Sequence, residues 1–302
     1  MSFRHSARLN FCDFYKDGFY SGAAIFDALF MTMIEKLEAA TTFLKSHIGI
    51  QPTIAVVLGS GLGDFVQEIS VATEIPYNQI PYFPVSTVEG HSGKLIFGAI
   101  AGKPIIAMAG RFHFYEGYSP EEVVFPIRVL KMLGVETLLI SNAAGGVNPE
   151  FKVGDLMLIT DHISFAIVNP LLGKNETSLG PRFPDMSEPY SKPLINKAKA
   201  IAQQHGIALQ SGVYFGVTGP TFETRAEYKM IKVLGGDAVG MSTVSEVIAA
   251  VHAGMHVLAL SVITDIGIRE DDNIITHEEV LQAAREAEPK FSRIFRELIA
   301  AL

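Results

Sequence analysis

Short runs of β-branched apolar residues alternate with segments of helical periodicity along most of this chain, and no other feature limits its fold as strongly. Residues 53–58 (TIAVVL) and 137–141 (TLLIS) are typical of buried strands, whereas residues 31–48 place apolar side chains at helical spacing. Strands that alternate with helices form parallel or mixed sheets covered by helices on both faces. The pattern therefore predicts an α/β fold, a single domain with a mixed, largely parallel β-sheet flanked by helices.

The remaining elements follow the same alternation. Ser119, Pro120 and Glu122 form the signature of a helix start, and Thr243 with Glu246 predicts a second capping box. Further strands are predicted at 94–100, 104–109, 155–160, 211–217, 237–241 and 256–263, the first two joined as a hairpin, and further helices at 119–134, 191–205, 224–234, 243–253 and 277–301.

Residues 1–30 differ from this pattern. They hold two Arg and one Lys but no continuous apolar core and no small-residue cleavage pattern, so they do not resemble a signal peptide. We predict an N-terminal extension over 1–30, disordered or non-native, and one folded domain over 31–302. Within that domain, the stretch 161–190 is rich in Pro, Gly and Asn and is predicted to be a functional loop.

Composition excludes several classes of partner. The chain has 302 residues with 32 acidic and 24 basic side chains, a formal net charge of −8 and no basic run, which argues against nucleic acid. No apolar run approaches the roughly 20 residues that span a bilayer, so no membrane partner is expected. Cys12 is the single cysteine, which excludes internal disulfides and fits a reducing, cytoplasmic location.

A glycine-rich loop, Gly59 to Gly63, follows the first predicted strand. Its backbone N–H groups and the Ser60 hydroxyl can converge on an anion such as phosphate, although plain turn chemistry explains such a loop equally well. The loop is no Walker motif, and Asp64 and Val66 stand where the dinucleotide-binding pattern needs its third glycine. A dinucleotide-dependent enzyme is therefore not favoured.

A hydrolase motif and a zinc motif also fail. Ser92 lies in a near match to the serine-hydrolase elbow, but Lys94 occupies the position of the second glycine. His252 and His256 have the spacing of a zinc-binding helix without its glutamate. We interpret both histidines as structural and predict no metal site.

Residues 110–117 (GRFHFYEG) concentrate an arginine, a histidine, a tyrosine and a glutamate directly after a predicted strand. An arginine fork binds phosphate through two hydrogen bonds, and a histidine adds another donor. A solvated loop with its aromatic side chains packed against the core is the alternative at this point.

Three more segments follow predicted strands. The small residues of 142–146 (NAAGG) allow the backbone to approach a ligand closely, or simply form a tight turn. Phe222 can stack on a flat ring and Glu223 can accept from ring N–H groups, although Glu223 also fits a helix start. Ser242 is predicted at the positive end of a helix, which favours an anion.

The chain resembles the trimeric purine nucleoside phosphorylase family over residues 31–302, through the order and spacing of GSGLG, EGHSG, GRFHFYEGY, NAAGG, DHI, GPTFET, GMST and HEEV. The resemblance implies a phosphorylase/hydrolase-like fold and phosphorolysis, in which phosphate attacks C1′ of a purine nucleoside and releases the base and an inverted (deoxy)ribose 1-phosphate. It implies phosphate as a co-substrate, no metal or organic cofactor, and a homotrimer in the cytoplasm.

The same resemblance assigns roles to individual residues. The phosphate site is expected to comprise Ser60, His91, Arg111, His113, the backbone of Ala143, and Ser242. The nucleoside is expected to contact Tyr115, Met241, the 5′-hydroxyl partner His277, and the base-binding residues Phe222, Glu223 and Asp265. The expected catalytic residues are His113, Glu223 and Asp265, and Phe165 is the expected aromatic lid from a neighbouring subunit.

Asp265 departs from the family's pattern, in which an asparagine contacts N7–H and O6 of a 6-oxopurine. A carboxylate only accepts hydrogen bonds, so Asp265 favours a 6-amino group, whereas Glu223 favours the N1–H of hypoxanthine and guanine. We give the greater weight to Glu223 and predict inosine, guanosine and their deoxy forms as substrates.

Two other functions stay open. The related methylthioadenosine phosphorylases carry an aspartate at the position of Asp265, but His277 suits a 5′-hydroxyl better than an apolar methylthio group. A methylthioadenosine or adenosine phosphorylase is the first alternative. A non-catalytic nucleoside-binding sensor is the second, and it would bind its ligand without turnover.

Overall fold

Nine strands alternate with six α-helices in the part of the chain that the computed structural model describes, residues 31–85, 87, 92–267 and 275–302. The strands are β1 (Ile54–Leu58), β2 (Ser70–Pro76), β3 (Lys94–Ile100), β4 (Lys103–Ala109), β5 (Thr137–Gly146), β6 (Leu156–Ile163), β7 (Leu209–Gly216), β8 (Ala238–Gly240) and β9 (His256–Ile266). The helices are α1 (Met33–His47), α2 (Pro120–Met132), α3 (Lys192–Gln204), α4 (Arg225–Val233), α5 (Val244–His252) and α6 (His277–Ala300). The predicted extension 1–30 lies outside the described residues.

These strands form one mixed sheet in the order β2-β3-β4-β1-β5-β8-β7-β6-β9. Because β9 also pairs with β5, the strands β5, β8, β7, β6 and β9 close into a ring, and β1, β4, β3 and β2 extend from it. β1 is parallel to β4 and β5, β5 is parallel to β9, and β7 is parallel to β6 and β8. The outer strands β2 and β3 pair antiparallel. The predicted α/β class and mixed sheet are confirmed.

Burial on both faces explains the apolar runs of the central strands. Every residue of β1 is buried, and β9 is buried along almost its whole length. Helix α6 packs against β9 and α3. Its Phe291 and Phe295 place their ring centroids 5.7 and 6.1 Å from that of Phe65. Burial of this aromatic cluster removes apolar area from water and stabilises the packing of α6 against the segment around Phe65.

The direction of the strands decides where polar loops gather. β4, β1, β5 and β9 all run the same way, so their carboxyl ends meet at one edge of the sheet. The glycine loop follows β1, the segment that begins at Gly110 follows β4, and the NAAGG segment forms the end of β5. Ligands of α/β sheets bind at this edge, and the predicted chemistry-bearing segments converge on it.

The observed elements differ from the predicted ones at several points. β2 was not predicted, β6 extends to Ile163 into the stretch predicted as a loop, and β5 continues to Gly146 because the NAAGG segment pairs with both β8 and β9. His252 ends α5 and His256 begins β9, in line with the predicted helix 243–253 and strand 256–263, so the two histidines do not share the helical face that the zinc motif needs.

One predicted capping box is confirmed and the other is wrong. The Ser119 hydroxyl accepts a hydrogen bond from the backbone N–H of Glu122 at 3.2 Å at the start of α2. At the start of α5, Thr243 has a φ of 71° and makes no capping bond. Its hydroxyl instead accepts from Nδ2 of Asn142 at 2.9 Å, and Glu246 pairs with Arg111. Buried tertiary contacts therefore override the local helix-start signal.

Leu37–Leu302 forms one compact unit, and the described residues 31–36 fall outside it. The expected domain boundary at residue 31 stays a prediction. Among the described residues, no helix is both long and apolar enough to cross a membrane.

The β3–β4 turn carries a local strain that a substitution can relieve. Ala101 and Gly102 have φ values of 49° and 77°, the conformation in which asparagine followed by glycine is preferred. We expect Ala101→Asn to raise the free energy of unfolding by about 0.5 to 1 kcal/mol, because asparagine tolerates the left-handed region better than alanine. Urea denaturation measures the change. Ala301→Asn, at an exposed position with a φ of −87°, is the matched control and should leave the stability unchanged. A free energy of unfolding for Ala101→Asn that is equal to or lower than that of the wild type would contradict the inference that Ala101 is strained.

Candidate active site

An open cavity lies at the edge of the sheet where the parallel strands end. Its lining comes from the loops after β1, β4 and β8, from β5 and β9, and from the starts of α4 and α6. It includes every described residue that was predicted for the phosphate and nucleoside sites: Ser60, Arg111, His113, Tyr115, Ala143, Phe222, Glu223, Met241, Ser242, Asp265 and His277. His91, predicted for the phosphate site, lies outside the described residues.

Arg111 provides a fixed positive charge in this cavity although its residue is only 1% exposed. Its Nε donates to the carboxylate of Glu246 at 3.1 Å, and its Nη1 donates to the backbone oxygen of Ser141 at 2.7 Å and to the hydroxyl of Ser242 at 3.3 Å. These partners come from α5, β5 and the loop after β8. The guanidinium is thereby held in one orientation, as a preorganised anion site requires.

The glycine loop after β1 brings Ser60 to the same cavity. A Cβ atom on Gly59 would lie 2.8 Å from both Cα of Asn142 and the backbone oxygen of Ser141, so only glycine allows the loop to pack on β5. The backbone N–H of Gly59 donates to the Ser141 hydroxyl at 3.1 Å, which fixes this approach. The first glycine therefore serves close packing, while Ser60 faces the cavity.

His113 is oriented by Glu116. Its Nδ1 lies 3.0 Å from a Glu116 oxygen, and its ring stacks on Tyr115 with centroids 4.7 Å apart. Burial would raise the pKa of the Glu116 carboxyl, but hydrogen bonds from His113 and Thr87 outweigh it and lower the pKa to about 2. A carboxylate at Nδ1 favours the proton on that nitrogen and fixes the plane of the imidazole.

A second group of polar side chains is acidic. Asp265, on β9, is 6% exposed and accepts from the hydroxyl of Thr264 at 3.2 Å and from that of Tyr228 at 3.3 Å. Burial raises the pKa of Glu223, and the nearby charge of Asp265 raises it further. Thr224 and Glu227 form the capping box of α4, so Glu223 is not the helix cap that the sequence left as an alternative.

The sequence analysis missed Tyr228 and Thr264 in the cavity lining, and Glu246 as the partner of Arg111. Tyr228 projects from the buried face of α4, where a tyrosine at helical spacing looks like a core residue. Thr264 lies within a continuous apolar strand, so its polar side chain was not singled out. Glu246, which forms an ion pair with Arg111, was interpreted as a helix cap. The one available signal was that Glu246, a charged residue, lies on the buried face of α5. Because a buried charge needs a partner, this position indicated an ion pair with a basic side chain.

Phe165 is not among the residues that line the cavity of the single chain. It is 68% exposed, and its ring meets that of Phe215 edge-on with the centroids 5.4 Å apart. Its expected role as the lid of a neighbouring subunit stays a prediction. Within the described residues, no group of three or more His, Cys, Asp or Glu side chains is arranged to hold a metal ion.

Comparisons with known proteins agree with this geometry. Residues 53–300 match the family model described as "Phosphorylase superfamily". The chain is 50% identical to "Purine nucleoside phosphorylase 1" of Bacillus subtilis over 268 residues, which cover 89% of this chain and 99% of that protein.

Two solved structures from Schistosoma mansoni share the fold. Isoform 2 of purine nucleoside phosphorylase, in complex with cytosine and ribose-1-phosphate, has a TM-score of 0.85 and 44% identity over 89% of this chain and 96% of that one. A purine nucleoside phosphorylase in complex with hypoxanthine has a TM-score of 0.86 and 39% identity over 90% and 99%. The family model, the identity and the near-complete coverage together show that this chain belongs to the phosphorylase superfamily and, within it, to the purine nucleoside phosphorylases.

Proposed function

We propose that this chain catalyses the phosphorolysis of purine nucleosides, with inosine, guanosine and their deoxy forms as preferred substrates. Phosphate attacks C1′, the bond from C1′ to N9 breaks, and the products are the free base and (deoxy)ribose 1-phosphate. One observation carries the proposal: a buried, immobilised arginine and a pair of acidic side chains line the same cavity. The first suits a phosphate anion and the second suits the N–H groups of a purine.

Phosphate binding by this cavity follows from its donors. Arg111 offers a guanidinium fork, and Ser60, His113, Ser242 and the backbone of Ala143 add donors around it. An anion held beneath the sugar stabilises the positive charge that develops at C1′ as the glycosidic bond lengthens. Such donors cost no reorganisation at the moment of reaction, so they act mainly on the transition state.

The base departs with the electron pair of the broken bond. Its negative charge is relieved when N7 takes up a proton, which balances the proton that hydrogen phosphate loses as it becomes the sugar phosphate, and a group that accepts from the N7–H so formed stabilises the departing base. We assign Asp265 to N7–H and Glu223 to N1–H, with Phe222 against the face of the ring. Tyr115, Met241 and His277 complete the assignment as contacts of the sugar, with His277 at the 5′-hydroxyl.

A methylthioadenosine or adenosine phosphorylase is the second candidate, and Asp265 is the observation that favours it. A carboxylate accepts from a 6-amino group and is unfavourable beside O6. His277 weighs against the methylthio substrate, because its polar ring lines the cavity where an apolar 5′-substituent would need apolar contacts. The preference for a 6-oxopurine therefore depends on Glu223. Hypoxanthine and guanine offer an N1–H to this carboxylate, whereas adenine has no N1–H to donate.

The proposal extends to the oligomeric state and the cellular compartment of the protein. The family resemblance supports a homotrimer in which an aromatic side chain such as Phe165 covers the sugar of a neighbouring subunit. The single cysteine supports a reducing cytoplasm as the compartment. Phosphate is the co-substrate, and the reaction as written needs neither a metal nor an organic cofactor.

Initial rates with inosine, guanosine, adenosine and methylthioadenosine, each with and without phosphate, test the proposal. We expect phosphate-dependent release of hypoxanthine and guanine, with kcat/KM for inosine above that for adenosine. Turnover confined to adenosine or methylthioadenosine would assign the chain to the second candidate. No turnover of any of the four would contradict phosphorolysis itself.

Arg111→Lys tests the phosphate site without removing the charge that balances Glu246. A lysine ammonium cannot reproduce the planar fork, so we expect kcat/KM for phosphate to fall by about 100- to 1,000-fold. Steady-state kinetics with varied phosphate measure the effect. Arg128→Lys, on α2 and outside the cavity lining, is the control and should change kcat/KM by less than about threefold. A loss below tenfold in Arg111→Lys would contradict the assigned role.

Glu116→Gln tests the ionised carboxylate behind His113. The pKa of Glu116 falls from 4.5 to about 2 on folding, so its contribution to stability is present above about pH 4.5 and is lost as the pH falls towards 2. We expect the wild type to be the more stable protein at neutral pH and its advantage over Glu116→Gln to shrink across that interval. Urea denaturation at a series of pH values measures it. The exposed Glu150→Gln should follow the wild type throughout. A constant advantage would contradict the prediction.

A further inference from the structure

The proposed substrates create a hydrogen-bonding problem in the acidic part of the cavity. A 6-oxopurine base that is leaving the sugar and has taken a proton on N7 presents N1–H, O6 and N7–H along one edge, in that order, so at that stage it needs an acceptor, a donor and an acceptor. Glu223 and Asp265 supply the two acceptors, and as carboxylates they cannot donate to O6. A buried O6 without a donor would cost binding energy, so a donor has to lie between the two carboxylates.

Tyr228 occupies that position. Its hydroxyl lies 3.3 Å from Oδ2 of Asp265 and also hydrogen-bonds the Glu223 side chain. The three side chains line the cavity together, although the tyrosine is only 2% exposed. The Tyr228 hydroxyl is thus within reach of both carboxyl groups, as a donor to O6 must be if Glu223 holds N1–H and Asp265 holds N7–H.

The phenol ring is fixed in place by its neighbours. Its ring packs so closely on Gly267 that a Cβ atom there would lie 1.9 Å from Cε1, and a Cβ atom on Gly145 would lie 2.9 Å from the hydroxyl oxygen. Val147, Phe215 and other buried residues surround the rest of the ring. The hydroxyl hydrogen can rotate about the C–O bond, but the oxygen cannot leave the wall.

We propose that Tyr228 is a specificity-determining residue that reads the 6-position of the purine by donating its hydroxyl proton to O6. This inference rests on the proposed function. In the structure the hydroxyl donates to Oδ2 of Asp265. Once the departing base carries its proton on N7, N7–H becomes the donor to Asp265, and the Tyr228 proton turns to O6, so each acceptor keeps a donor.

Thr264 is the other hydroxyl in this part of the lining, and it cannot take this role. Its oxygen lies 3.2 Å from Oδ1 of Asp265 and 3.3 Å from the backbone oxygen of Ala144, so its single proton still has an acceptor in Ala144 when N7–H serves Asp265. It is also 4% exposed, and the partners of its hydroxyl are Asp265 and Ala144, not Glu223. Tyr228 alone combines a donor with a location between Glu223 and Asp265 among the described residues of the cavity.

Tyr228→Phe tests the inference because it removes only the hydroxyl. With phosphate saturating, we expect kcat/KM for inosine to fall by about 10- to 100-fold. Purine riboside, which carries hydrogen at C6, should lose less than about threefold, since it makes no bond to Tyr228. Calorimetric binding of hypoxanthine and of unsubstituted purine provides the same comparison without turnover.

Two further variants separate specificity from structure. Tyr190→Phe removes the hydroxyl of another buried tyrosine, which lies 3.0 Å from His162 Nδ1 and outside the cavity lining, so it controls for a general loss of stability and should leave the substrate ratio unchanged. In an Asp265→Asn background an amide donor faces O6, so removing the Tyr228 hydroxyl there should cost inosine less than about threefold.

The outcomes are distinct. An equal loss for inosine and purine riboside, or no loss for either, would overturn the role of Tyr228 while phosphorolysis by the wild type stands. A loss confined to adenosine would show that the hydroxyl serves a 6-amino group and would also overturn it. Absence of wild-type turnover with phosphate would contradict the proposed function, whatever the variants do.

Discussion

The buried ion pair between Arg111 and Glu246 is the constraint on which the site depends. The two side chains are only 2% and 4% exposed, so each has lost most of its hydration, and removal of either would leave an uncompensated charge in the interior. The guanidinium also bonds the backbone of β5 and the hydroxyl of Ser242. The Arg111 side chain thus joins the end of β4, the middle of β5 and the loop before α5. The free-energy cost of burying its charge is offset only while all three segments keep these positions.

This constraint is met by the topology of the sheet. Parallel pairing of β4, β1, β5 and β9 brings four carboxyl ends to one edge, and the ring of strands turns the end of β8 towards β5. Segments far apart in the sequence, from Ser60 to His277, therefore line one cavity. The positive φ of Thr243 belongs to the same arrangement, since its hydroxyl bonds Asn142 of β5 instead of capping α5.

Local signals in the sequence predicted the alternation of elements well and the contacts between them poorly. The capping box of Ser119 and the hairpin of β3 and β4 are each predicted from residues close together in the sequence, and both predictions are confirmed. Glu246 has an equally good local signal and a different partner, because Arg111 is 135 residues away and no spacing rule links them. Tyr228 was missed for the opposite reason. Its amphipathic spacing indicates burial correctly, yet says nothing about which polar groups its hydroxyl meets.

Tyr228 also bears on the conflict that Asp265 presents in the sequence. Judged by residue type, Asp265 favours a 6-amino group and Glu223 favours a 6-oxo group, and the predicted preference for 6-oxopurines gives Glu223 the greater weight. The structure places a phenol hydroxyl in hydrogen-bonding contact with both carboxyls, and a phenol can either donate or accept. In the proposed assignment the 6-position contacts three side chains whose protons are shared, so that changing one changes what the others can bind. Substrate preference in such a site is a property of the trio, because a base that leaves any one of these buried groups unpaired is penalised by the loss of that hydrogen bond.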